Sequence, residues 1–142
     1  MNSEDKSSEL WEEIVYDKNL VHNAMELAKR DLKTSMNMFD DADFDWSYAI
    51  SYNAMLQAGR ALMFSQGKRP KGKYKHVSVV EFVKKNFGQS FADKLLFMFN
   101  KIRKKRHTVV YEQINVISKE EARLASEIAQ EFVSRVAELI SV

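Results

Sequence analysis

The chain has 142 residues, 45% hydrophobic and 30% charged, which suits one globular domain with a real core and excludes a disordered or low-complexity chain. It has no cysteine, so disulfides, thiolate metal sites and thiol catalysis are excluded, and His22, His76 and His107 are too far apart for a metal-ligand motif. The net charge of +2 hides a polarity: 14 Lys or Arg stand against Glu81 and Asp93 between Arg60 and Val110, while the flanks carry 8 basic and 18 acidic residues. That asymmetry fits an anionic partner at the middle of the chain, or equally acidic helices that neutralise basic ones within the fold.

The N-terminus through Leu10 is polar and acidic, with no apolar signal region, and is expected to be flexible over residues 1–10. A first helix is predicted from Trp11 to Phe39, with Leu20, Ala24, Leu27, Ala28, Met36 and Phe39 at helical spacing. His22 lies on it among polar neighbours and is read as exposed. The sequence Asp40-Asp41-Ala42-Asp43 supplies a turn with N-cap candidates. A second helix, Phe44 to Gln66, presents Trp46, Ala49, Tyr52, Met55, Leu56, Gly59 and Met63 as a broad apolar face. Gly59 costs about 1 kcal/mol against alanine in a helix, which points to a close helix crossing, assigned to the first helix.

Residues Gly67 to Tyr74, with Pro70 and Gly72, read as a flexible basic loop. A short helix from Ser78 to Asn86 buries Val79, Phe82 and Val83, with His76 capping or bracing its start. A fourth helix from Ser90 to Thr108 buries Leu95, Leu96, Phe99 and Ile102. The β-branched stretch Val109 to Ile117 is expected to be extended. Ser118 and Glu121 then form a capping box for the last helix, whose stripe runs through Ala122, Ala125, Ile128, Ala129, Phe132, Val136 and Leu139. These elements predict an all-α fold: an up-and-down bundle of four long helices plus one short helix, in one domain over 1–142. The longest apolar run, Leu95 to Phe99, is far below the roughly 20 residues a membrane span needs, so a cytoplasmic protein with no membrane partner is expected.

The segment Lys101-Ile102-Arg103-Lys104-Lys105-Arg106-His107-Thr108-Val109-Val110-Tyr111 carries the chemistry. Basic residues near a helix end complement the macrodipole, but five positive charges within six residues exceed that need. A phosphate backbone would offset their repulsion. Arg103 and His107 are four apart and share a helical face. An arginine holds phosphate by bidentate bonds, and a histidine exchanges protons near neutral pH. Tyr111 can stack on a base or donate to phosphate, or else seal the end of the bundle half-buried.

The stretch Ala54-Met55-Leu56-Gln57-Ala58-Gly59-Arg60-Ala61-Leu62 resembles the second-helix signature of small prokaryotic HEPN proteins. Gly67, Pro70 and His76 before Val77 resemble that family's Gly…Pro…His stretch, here with a longer basic loop. Arg106 to Tyr111, followed by Ser118-Lys119-Glu120-Glu121-Ala122, resembles its Arg…Tyr stretch and last helix. The resemblance covers about Trp11 to Ile140. It implies a homodimer, no cofactor and no metal. Catalytic members carry an Arg, usually a polar residue, a few more residues and then a His, a metal-independent ribonuclease site formed across the dimer. Arg106 matches that Arg and His107 the polar residue, but Tyr111 stands where the His is expected. A tyrosine side chain is a poor proton carrier near neutrality. Members with this Tyr resemble components of toxin–antitoxin-like pairs with a small nucleotidyltransferase.

Three functions follow as expectations. The first is a binding module in which Arg103, Lys104, Arg106 and Tyr111 hold RNA or a nucleotide, with His107 as a polar contact. The second is an endoribonuclease using Arg106, His107 and Tyr111 as catalytic residues. The third is a helical protein-interaction module whose basic segment meets acidic helices.

Overall fold

The computed structural model describes residues 7–141. Within the segment expected to be flexible, Ser7–Leu10 form one helical turn, α1, and the expectation for 1–6 lies outside the described residues. Trp11–Glu13 form strand β1 rather than the start of a helix. The long helix α2 begins only at Lys18 and runs to Asp40. Asp17 sets that start: its carboxylate accepts from the Asn19 N–H at 2.9 Å. The strand partner of β1 is β2, Lys68–Pro70, antiparallel, with Trp11 opposite Pro70 and Glu13 opposite Lys68. Ion pairs of 2.7 Å join Lys68 to Glu13 and Arg69 to Glu12. The basic loop is thus partly tied down by the acidic N-terminal segment, and Lys68 beside Glu13 lowers the pKa of that carboxyl group.

The centre of the fold is α3, Phe44–Ser65, capped by Asp43, whose side chain accepts from the Trp46 N–H. It is buried on nearly every side, including Tyr48, Tyr52, Ala54, Met55, Ala58, Ala61 and Leu62, because four helices surround it. It packs most extensively on α2 and on α6, Lys119–Ile140, and also on α4, Lys75–Phe87, and α5, Asp93–Tyr111. The fold is all-α, with four long helices and one shorter one forming the bundle. Small residues let α2 and α3 approach closely. There Ser35, Ser47 and Ser51, all fully buried, satisfy one another: Ser35 and Ser51 hydroxyls lie 2.6 Å apart, and Ser47 donates to the Ser35 carbonyl at 2.9 Å.

Gly59 does mark a close crossing, but with α4 rather than the first long helix. A Cβ there would collide with Val79 Cγ1 and touch Phe99 at 3.7 Å. Overpacking costs about 1–3 kcal/mol and the helix preference of alanine returns about 1. Gly59→Ala is therefore expected to lower unfolding free energy by about 1 kcal/mol in urea titration, and Val79→Ala in the same chain to recover part of it. A rise in midpoint for the single variant would contradict the contact.

Helix α5 continues to Tyr111 instead of giving way to an extended stretch at Val109, because Val109 turns inward and is buried. The following loop is held by Asp45, whose carboxylate accepts from the backbone N–H groups of Asn115, Val116 and Ile117 at 2.6–3.1 Å. The capping box at Ser118 and Glu121 is formed in full.

Candidate functional site

The two helices that frame the site are α4 and α5, and α3 is its floor. Leu95, Phe99 and Ile102 turn α5 inward, which leaves its cations on two flanks. Arg103, Arg106 and His107 lie three and four residues apart and face α4. Together with Gly72, Lys73, Lys75 and His76 they line a cleft of about 320 Å³. Lys101, Lys104 and Lys105 point to the other flank, where Lys104 lines a separate groove with Lys84, Phe97 and Asn100. Lys105 forms an ion pair with Glu121 of α6. The run of five cations is therefore divided, and its Lys105 is neutralised within the fold.

At the cleft floor the Tyr52 hydroxyl and His76 Nδ1 are 3.1 Å apart. Burial raises the Tyr52 pKa despite the opposing pull of Arg103 and Arg106, so the phenol stays protonated and can donate to Nδ1. That arrangement leaves the ring proton on Nε2. His76 is held below its ordinary pKa first by burial, then by the charges of Arg106, Arg103 and Arg60. It sits inside the first turn of α4, which begins at Lys75, and so braces the helix through Tyr52 rather than capping it.

The charges of the three arginines converge on His76. Arg106 lies over the Tyr52 ring, 5.7 Å from its centroid, and Arg60 over Phe64 at 5.6 Å. Arg103 Nε donates to Asn100 Oδ1 at 3.1 Å, and Arg60 Nη1 to Gln57 Oε1 at 3.4 Å. The Nε groups of Arg60 and Arg106 are buried with no acceptor. Among the described residues no carboxylate is within ion-pair distance of any of the three guanidiniums.

The other sequence-derived site residues lie at the margin. His107 lines the cleft, but its Nε2 is 3.5 Å from Glu112 and its ring 5.1 Å from that of Tyr111. Tyr111 is 68% exposed and does not seal the bundle. It lines a shallow groove with Asp45, Trp46 and Ile114. Tyr52, Arg60 and His76 were not among the site residues expected from sequence. Their signal was present, since Arg60 lies in the Ala54–Leu62 signature and His76 ends the Gly…Pro…His stretch, but only packing brings them to Arg106.

A family model for the HEPN domain matches residues 21–139, and the chain belongs to the HEPN family. This membership associates it with nucleotide- or RNA-related function in general terms. No curated protein matches the chain. Among the described residues no helix is long and apolar enough to cross a membrane, and no group of three His, Asp or Glu side chains is placed to hold a metal ion.

Proposed function

We propose that the chain binds the phosphate of a nucleotide or RNA strand in the cleft between α4 and α5, with Arg103 and Arg106 as the principal donors, Arg60 alongside, and His76 at the floor. The observation that carries this reading is the pair of buried, unpartnered Nε donors on Arg60 and Arg106. A buried charged donor left unsatisfied costs roughly 1–3 kcal/mol or more, a cost relieved when the guanidinium turns outward onto an anion in the cleft. Lys104 and Tyr111 then serve as outlying contacts for a longer strand. HEPN domains often dimerise, and the Arg…Tyr resemblance supports a homodimer paired with a small nucleotidyltransferase in a cytoplasmic toxin–antitoxin-like system.

The test is the anisotropy of a labelled single-stranded RNA over a salt series. Two neutralised phosphates, one at Arg103 and Arg106 and one at Lys104, give a log–log slope near −1.4, or about 7-fold weaker binding between about 50 and 200 mM salt. Salt-independent binding would overturn the reading. Affinity also carries a pH signature. A bound phosphate favours protonated His76, so its pKa rises in the complex and a proton is taken up on binding. Affinity is expected to strengthen as pH falls through the His76 pKa of the complex toward the lowered value of the free protein. Folding runs the other way, because His76 is depressed in the folded state: the stability it contributes is full above 6.5 and is lost as pH falls through the lowered value.

A second reading is favoured by one further observation: His76 and His107 line the same cleft as Arg103 and Arg106. Two histidines beside a held phosphate suit RNA cleavage. One takes the 2′-hydroxyl proton as that oxygen attacks phosphorus, and the other protonates the departing 5′-oxygen, leaving a 2′,3′-cyclic phosphate. Incubation with RNA in chelator tests it. Cleavage lost in both His76→Gln and His107→Gln supports this reading, and cleavage surviving in Arg106→Ala rejects it.

A further inference from the structure

A larger concavity of about 1030 Å³ adjoins the cleft, walled by residues 12–20, α3, β2 and α4. The two share Gly72, Lys75 and His76 in their linings. Their linings differ. The small cleft is cationic and near the lower size limit for a ligand pocket, whereas the large one is near the upper limit. The large one has an apolar floor of Leu56, Phe64 and Val79. Arg60 stands between them: it faces the large concavity, and its charge still acts on His76.

We propose that this concavity receives the nucleobase and ribose of the nucleotide whose phosphate lies at Arg103 and Arg106. The inference rests on the reading of the small cleft as a phosphate site. A phosphate alone needs no apolar chamber beside it; a base, apolar on its faces and polar at its edge, does. The Arg60 guanidinium lies on the Phe64 ring and lines the concavity, so that a base can stack on its opposite face. Tyr16 at the rim is 60% exposed, a large ring not committed to the core. Of the two acids in the lining, Glu12 is paired with Arg69 and Asp17 accepts from the Asn19 N–H at the start of α2. The same chemistry fits a free mononucleotide and an unstacked nucleotide of RNA.

The experiment is calorimetric titration of the full chain with ribose 5-phosphate, the four nucleoside 5′-monophosphates and an unlabelled single-stranded octamer. Base stacking predicts that the best monophosphate binds at least about 10-fold tighter than ribose 5-phosphate. Tyr16→Ala, at an exposed position, is expected to weaken the monophosphate about 5-fold and leave ribose 5-phosphate unchanged. Leu20→Trp, which narrows the mouth, is expected to do the same. Competition between octamer and monophosphate supports a base pocket used by RNA, and its absence supports a pocket for free nucleotides. Equal affinity for monophosphates and ribose 5-phosphate, indifferent to Tyr16→Ala, overturns the base pocket while leaving the phosphate cleft intact. Failure of every ligand to bind overturns both.

Discussion

Arg106→Ala is expected to weaken binding of single-stranded RNA or a nucleotide by about 10- to 100-fold, since hydrogen bonds to charged groups contribute about 1.5–3 kcal/mol each. The effect on folding should be small. The variant loses the contact of the guanidinium with the Tyr52 ring, worth about 0.5–2 kcal/mol. It also removes a buried Nε with no acceptor, a comparable cost. The two nearly cancel, so the urea midpoint is expected to stay close to wild type while affinity falls. Arg106→Lys separates charge from geometry, because lysine retains the charge but lacks the planar fork. It should recover only part of the affinity. Unchanged binding in Arg106→Ala, with a folded chain, would contradict the site.

Phe132→Ala is expected to do the reverse. Its ring is fully buried, stacked on Phe91 at 4.9 Å and packed on Phe99 at the same distance. Phe99 in turn lies 6.0 Å from Tyr52, so this cluster sets α6 and α5 against the floor of the cleft. Truncation to alanine removes transfer energy and leaves a cavity, for a loss of about 3–5 kcal/mol. Against a typical total of about 5–15 kcal/mol that is a large share, and a marked fall in urea midpoint should follow. Affinity of the fraction that remains folded should change little. A loss below about 1 kcal/mol would mean that the core collapses around the site and that the cluster does not set the position of α5.

The last helix was legible because its signals are local: a capping box at Ser118 and Glu121 and a regular apolar stripe, both realised. The start of the first long helix was not. Trp11-Glu12-Glu13 looks helical in isolation, but it pairs with Lys68–Pro70, and a partner so far along the chain leaves no local mark. Val109 and Val110 suggested an extended segment. A propensity difference of at most about 0.7 kcal/mol per residue yields to the burial of Val109. Gly59 announced a close approach without saying to what, and Val79 is its partner. Within the site, helical periodicity was enough to separate Arg103, Arg106 and His107 from Lys101, Lys104 and Lys105, and counting charges without that periodicity merged them. The joining of Tyr52, Arg60 and His76 to Arg106 is a product of three helices packing together, and no spacing in the sequence expresses it.

The central claim is that His76, amid three arginines, faces the bound anion. Its most direct test is a histidine-selective NMR titration of the full chain with and without a saturating nucleoside 5′-monophosphate. The account predicts that His76 titrates below its ordinary value in the free protein and that its pKa moves upward when the ligand is bound, whereas the chemical shifts of His22 do not respond to the ligand. A His76 signal that ignores the ligand, with His107 responding in its place, would move the site to the exposed end of α5 and contradict the account.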